Sequence, residues 1–404
     1  MSRLPSALQP AWPLVKRLHR LATRVTGAVV RRLSRWQGER ALPVRATERS
    51  ELTAAQEPGS VRIHAGGAAE SIHRTPPPGD PEGHWVFAEG ADYEVAARFT
   101  VEIDGGTVVG DYGANLTPAG TLDYETSEYF GISEWREHPI FLRPALPRIE
   151  HVDGTLVTLA TRGGSVNYYH FLLDVLPRWG ILEESMPGVV PDHVYVPCTS
   201  GYQREMLALA GLDRHDLIAT GKHRAVSADH LLVPSISNSQ EEAAQWMVDW
   251  VRATFPPERT DDKPRRLYVT RGSGRNTRRL VDEHLLWPGL EARGFVRIDP
   301  GTLSVRDQID HFAAADVVVG LHGAAMTNVV FLKPNARVLE LFSPSYVNAA
   351  YWAICQGIPG VRYRYLLGDG PGDRSARHNN NSLQNDIVVD AATLDAALER
   401  LLSD

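Results

Sequence analysis

The sequence predicts an α/β protein of two Rossmann-like domains, and three observations carry that reading. The chain has 404 residues, more than one hydrophobic core of ordinary size can fill, so two domains with additions are expected. From residue 168 onward, short apolar runs alternate with longer amphipathic stretches, and after about residue 256 the rhythm restarts. Such alternation is that of parallel strands joined by crossover helices. Finally, 43% hydrophobic residues, 23% charged residues and a net charge of −7 are those of an ordinary globular chain and imply no nucleic-acid partner.

At the N-terminus, residues 1–46 hold ten Lys or Arg residues against one acid, Glu39. Leu14, Leu18, Leu21, Val25, Val29, Leu33 and Trp36 recur there at spacings of three and four, the pattern of a basic amphipathic helix. Two uses fit this arm. One is docking on an anionic cytoplasmic membrane leaflet through residues 12–36. The other is packing on its own or a neighbouring subunit of an oligomer. Residues 47–92 are rich in Pro, Gly, Glu and small residues, as in Thr75-Pro76-Pro77-Pro78-Gly79-Asp80-Pro81, and predict a flexible linker.

Residues 93–255 are expected to form the N-terminal domain, a small β-rich lead-in followed by α/β units. Residues 256–370 are expected to form a C-terminal α/β domain, with strands at Arg266–Thr270, Phe295–Ile298, Asp316–Gly320 and Arg337–Leu341. Two such halves would leave a cleft at the carboxyl ends of their strands. The tail 371–404 ends in a helix expected to pack back across the first half. No apolar run reaches the roughly 20 residues that span a bilayer, and the start lacks a signal peptide's apolar core, so a cytoplasmic location is expected. Cys198 and Cys355, without partners at ligand spacing, read as buried free thiols of a reducing compartment.

Three constellations carry chemistry. Asn167, His170, Asp174 and Arg178 fall at helical spacings of three and four just after Gly163-Gly164, so on a regular helix they share one face. A carboxylate one turn from an imidazole orients it and stabilises its protonated form, which suits a general base. The run Asp316 to Asn328 is a buried strand entering a Gly-Leu-His-Gly turn and a small-residue helix, where backbone amides can approach a phosphate. The third is the loop after Tyr268-Val269-Thr270, which carries four arginines, Arg271, Arg275, Arg278 and Arg279. Guanidinium forks bind diphosphate without a metal. No Asp-x-Asp pair occurs anywhere in the chain, so the carboxylate clamp of a nucleotide-bound divalent ion has no counterpart, and no metal is expected.

Together these residues resemble glycosyltransferase family 61. The resemblance rests on Asn167-x-x-His170-x-x-x-Asp174-x-Leu176-Pro177-Arg178, on Tyr268-Val269-Thr270-Arg271, and on Gly320-Leu321-His322-Gly323-Ala324-x-x-Thr327-Asn328. Phe331-Leu332-x-Pro334 and Val338-x-Glu340 complete it. It covers roughly residues 93–366, leaves the first 90 without a counterpart, and departs from the family in a loop after Arg271 that is richer in glycine and arginine. It implies a GT-B architecture and an inverting, metal-independent transfer from a nucleotide-sugar co-substrate, with no other cofactor, to a glycan acceptor of a capsular or other surface polysaccharide. Position by position it implies His170 or Asp174 as the base. His322, the amides of Gly323 and Ala324, Arg271 and Arg275 would hold the diphosphate, Glu340 the donor ribose, with Asn167, Arg178 and Asn328 in the substrate-binding set. The alternatives are a non-catalytic scaffold of a polysaccharide assembly complex and another nucleotide-sugar enzyme, such as an epimerase, on the same fold.

Overall fold

A computed structural model describes residues 12–132, 134–238, 241–271, 278–369 and 386–403. The fold is mixed α/β. Its contacts divide it into two compact units, one of residues 1–70 and 96–239 and one of residues 71–95 and 240–404.

The first unit is built on a ten-stranded sheet. Its central strand, Ile149–Thr158, lies parallel to His193–Val196 on one side and to Ala225–Pro234 on the other, with Asp216–Ala219 beyond the former. Because the first of these strands in the chain sits between later ones, the strand order reverses beside it. Phe99–Asp104 and Thr107–Val109 run antiparallel to Ala225–Pro234. The β-rich lead-in is thus a wing of the same sheet, and Val101, Ile103 and Val108 share one core with Leu156, Val226 and Leu231.

The second unit carries a six-stranded parallel sheet in the order Val296–Ile298, Arg266–Val269, Val317–Leu321, Arg337–Phe342, Arg362–Leu367, Gly79–Asp80. Val317–Leu321 is buried at every position, as expected of a parallel strand covered on both faces. Here the order reverses beside Arg266–Val269.

Three expectations are corrected. The supposed linker 47–92 holds the helix Ser50–Gln56, the strands Val61–Ala65, Glu70–His73 and Gly79–Asp80, and the helix Trp85–Glu89. Composition misleads there because a few anchors suffice. Ser50 and Thr53 donate to the buried Asp123 at 2.9 and 2.6 Å, and Phe87 stacks on Tyr365 at 4.6 Å. Second, the division falls near residue 239 instead of 255. The helix Gln245–Thr254 joins the second unit, where Arg252 donates to the carbonyls of Val330 and Leu332 at 2.7 and 2.6 Å. Third, the final helix Ala391–Ser403 packs on the second unit's own sheet, its Leu394, Leu398 and Leu401 against Leu339 and Leu341.

The N-terminal helix forms over Trp12–Ser34, but its small and basic side faces the body of the first unit. Thr23, Gly27 and Ser34 are buried. A Cβ on Gly27 would lie 3.3 Å from that of Phe141, and Arg24 pairs with Glu134 and Glu137 at 3.0 and 2.8 Å. Leu18, Leu21, Val25, Val29 and Leu33 point to solvent, and Trp36 just beyond them is 89% exposed. Among the described residues no helix is long and apolar enough to cross a membrane.

Candidate active site

In the first unit the His170 segment lies beyond the carboxyl end of the central strand. Gly163 has a φ of 90°, and a Cβ there would come within 2.6 Å of the His170 ring; one on Gly164 would come within 2.4 Å of Val175. The double glycine therefore admits close packing of the segment it precedes. Asn167 caps that segment, its side chain accepting from the Tyr169 amide at 2.9 Å. One helical turn, Tyr168–His170, then widens into a π turn over Phe171–Val175 before α geometry resumes at Pro177–Ser185.

His170 Nδ1 lies 2.6 Å from one Asp174 oxygen. The other Asp174 oxygen accepts from Asn238 Nδ2 at 2.7 Å. Asn238, just beyond the carboxyl end of Ala225–Pro234, is itself buried. The His170 ring stacks on Phe130, centroids 5.3 Å apart. These contacts fix the imidazole's plane and tautomer, the arrangement a general base needs. Asn238 lies in a Ser-Ile-Ser-Asn-Ser run that offers no pattern by which sequence could have found it.

Two members of the expected quartet do other work. Arg178 is fully buried and donates to the carbonyls of Pro234, at 3.0 and 2.6 Å, and Ala160, at 2.6 Å. It ties together the ends of the two strands between which the order reverses, and burial lowers its pKa to about 9. The π turn supplies the reason: an inserted residue rotates the remainder of the helix, so Arg178 leaves the face of His170 and Asp174. Asn167 serves the helix start.

In the second unit, Arg271 and His322 sit just past the carboxyl ends of Arg266–Val269 and Val317–Leu321. These adjacent strands flank the reversal of order, the place where open α/β sheets bind ligands. Arg271 Nη1 donates to the His322 carbonyl at 2.9 Å. A Cβ on Gly323 would meet that nitrogen at 2.5 Å, so glycine there lets the guanidinium lie against the turn. Ala324 opens a 3-10 helix, Ala324–Phe331.

His322 is buried among Phe342, Tyr346 and Tyr351, at centroid distances of 5.0, 5.3 and 5.1 Å. Its Nδ1 is 2.5 Å from Glu340 Oε1, and Tyr363 donates to Oε2 at 2.5 Å. Glu340 is 0% exposed, so both oxygens are engaged inside the protein and the expected ribose contact is not available to it; Glu340 positions His322. Burial pushes the Glu340 carboxyl up to about 8 and, with the nearby Arg278 and Arg271, holds His322 well below its usual range. Both shifts favour the neutral pair, in which the carboxyl donates to Nδ1 and Nε2–H is a donor with no partner among the described residues. Asn328 is also fully buried, its amide donating to Gln308 at 2.9 Å and to the Ala325 carbonyl at 3.0 Å. It locks the 3-10 helix in place and is closed to a ligand.

Arg275 lies outside the described residues. Arg278, from the same loop, does not, and it is a cation that the family resemblance did not single out. It is only 6% exposed and lies over the Tyr346 ring at 4.7 Å. Its Nε and Nη1 are buried without a hydrogen-bond partner among the described residues. Burial, and then the like charge of Arg271, lower its pKa to about 10. Spacing marks four arginines on this loop but cannot say which turns inward. A buried guanidinium with donors unspent, next to Arg271 and the His322 turn, is chemistry suited to an anion with several oxygens.

Two clusters in the first unit have ion-binding geometry, Glu102, Asp104 and His230, and His151, Asp153 and Asp229. In the former Arg62 already bonds both carboxylates; the latter is wholly exposed.

In comparison with known proteins, residues 168–339 match the family model described as Glycosyltransferase 61. The matched span contains His170, Asp174, Arg271, Arg278 and His322 and stops one residue before Glu340. No curated protein matches the chain.

Proposed function

From the premise that the chain belongs, through residues 168–339, to glycosyltransferase family 61 and is a glycosyltransferase, we propose an inverting transfer without a resident metal or cofactor. A sugar moves from a nucleoside-diphosphate sugar to a hydroxyl of a glycan, in the synthesis of a capsular or other surface polysaccharide. The reading takes a GT-B division of labour, with the acceptor served by the first unit and the donor by the second.

The observation that carries it is the chain of contacts His170–Asp174–Asn238. Both Asp174 oxygens are engaged, so Asp174 orients and His170 is the base. His170 takes the acceptor hydroxyl proton as that oxygen bonds to the anomeric carbon. The bond from that carbon to the diphosphate breaks on the opposite face, and its electron pair leaves with the diphosphate. Arg271, Arg278 and His322 Nε2–H meet the charge that develops there, with the amides of Gly323 and Ala324 and with Arg275 as further donors. The test is turnover on a panel of nucleotide sugars by His170→Ala and Asp174→Asn. If His170→Ala keeps near-normal turnover while folded Asp174→Asn loses it, the assignment of the base fails.

The helix Trp12–Ser34 supports a peripheral position on the inner face of a membrane. Its solvent stripe of Leu18, Leu21, Val25, Val29 and Leu33 is bordered by exposed Arg17, Arg32 and Arg35, and its sequence contains no acid. An apolar stripe with arginines along one border and no acid on its helix matches a lipid surface of negative charge.

A further inference from the structure

A cavity of about 930 Å³ in the first unit lies apart from the His170 pair. Arg40, Arg143, Arg148 and Lys222 line it against one acid, Asp111, and Tyr112, Tyr129 and several prolines form its apolar walls. Arg148 and Lys222 are exposed and have no carboxylate partner among the described residues. Arg40 donates to the Leu146 carbonyl at 2.8 Å and Arg143 to that of Lys222, so these bonds hold the rim without neutralising it. A mostly apolar hollow with a few convergent cations selects an anion attached to a larger body.

Its location narrows the body. Pro139 and Leu142 line the cavity and belong to the turn Pro139–Leu142. In the same turn Phe141 receives Gly27 and, at 4.9 Å, the guanidinium of Arg31 from the N-terminal helix. The exposed stripe ends at Trp36, four residues before Arg40. An apolar stripe on the helix that packs against the hollow's own turn, together with that basic hollow, is complementary to an amphiphile whose phosphate adjoins its hydrocarbon part. From the other wall, Arg162 lies over both Tyr129 and Phe130, at 4.0 and 4.1 Å, and Phe130 stacks on His170. A relay of contacts, Tyr129–Arg162–Phe130–His170, thus connects the hollow's wall to the base.

We propose that this cavity binds the phosphate of a membrane lipid, and that the acceptor sugar is presented to His170 on such a lipid phosphate. The proposal rests on the membrane reading of the N-terminal helix and adds a site to it. The experiment measures binding of the full chain to phosphatidylcholine vesicles doped, at matched surface charge, with either phosphatidylglycerol or phosphatidic acid, whose phosphomonoester is free. The stripe and its arginines account for binding to both. The cavity adds a preference for phosphatidic acid of about tenfold, the size of one charge-assisted contact. Arg148→Gln/Lys222→Gln, with its unfolding midpoint checked, removes that preference, while phosphatidylglycerol binding weakens by no more than about fivefold per cation removed. Equal binding to the two lipids, or a preference that survives in the double variant, overturns the site. So does a soluble uronate oligosaccharide that binds in an Arg148- and Lys222-dependent way without a phosphatidic acid preference. Absence of binding to any anionic vesicle defeats the membrane reading itself.

Discussion

Replacing Arg278 by methionine separates a cation kept for a ligand from one kept for the fold. A guanidinium that keeps a charge while buried and short of partners destabilises the ligand-free protein. Its pKa falls from 12.5 to about 10, and at roughly 1.4 kcal/mol per unit that is about 3.5 kcal/mol. Methionine has similar reach and no charge, and substituting apolar residues for buried charges is often neutral or stabilising by about 1–4 kcal/mol. Arg278→Met is therefore expected to melt no lower than the parent, and higher by roughly 2–4 °C for each kcal/mol recovered. It should also bind nucleoside diphosphate more weakly. A hydrogen bond to a charged group contributes about 1.5–3 kcal/mol, so the loss is on the order of 10- to 150-fold. Calorimetric titration of UDP, GDP, CDP and ADP, each beside its nucleoside, with thermal unfolding in parallel, reads both effects. Affinity for the nucleoside should not change. A variant that melts several degrees lower and keeps its diphosphate affinity would refute the reasoning, because Arg278 would then be a structural residue.

Turnover should fall about 10²- to 10⁴-fold in His170→Ala and less in Asn238→Ala, which frees Asp174 without removing it; initial rates with saturating donor check both. Gly163→Ala puts a methyl where the His170 ring lies, at 2.6 Å and a positive φ, so activity should drop while nucleoside diphosphate affinity is retained. Gly323→Ala displaces Arg271 and should show the opposite pattern, weaker diphosphate binding by titration. Glu340 is a carboxyl whose folded pKa, about 8, exceeds its ordinary 4.5. The folded state then holds a proton that the unfolded state has released, and this contribution is complete below about 4.5 and is lost as pH rises toward 8. Stability should decline across that window by up to about 1.4 kcal/mol per unit, and denaturant unfolding of Glu340→Gln should show a shallower slope.

Legibility in the sequence tracks the regularity of the backbone. His170 and Asp174 are readable because their pairing spans one turn, whereas Arg178 lies past a π turn that no spacing rule anticipates. Arg271 and His322 are readable because apolar parallel strands announce their own carboxyl ends. Glu340 and Asn328 look like ligand contacts in the sequence because a motif marks a neighbourhood without marking which side chains reach the surface; their partners, Tyr363 and Gln308, come from a later strand and an earlier helix. The N-terminal helix is legible as a helix. The face it turns inward is not, because Glu134 and Glu137, which hold its arginines, lie about 110 residues away.

A difference between the two units supports the proposal that the donor binds the second. Each has a histidine paired with a carboxylate near a reversal of strand order, and each has a buried arginine there. In the first unit Arg178 spends its donors on two main-chain carbonyls that close the strand ends, so a diphosphate would have to break those bonds to reach it. In the second, Arg278 keeps Nε and Nη1 without a hydrogen-bond partner among the described residues, and burial favours the neutral form of the carboxyl nearest His322. An anion entering there meets donors without an opposing charge. The chemistry left to the first unit is the proton, because His170 is the group there whose charge a carboxylate is placed to compensate.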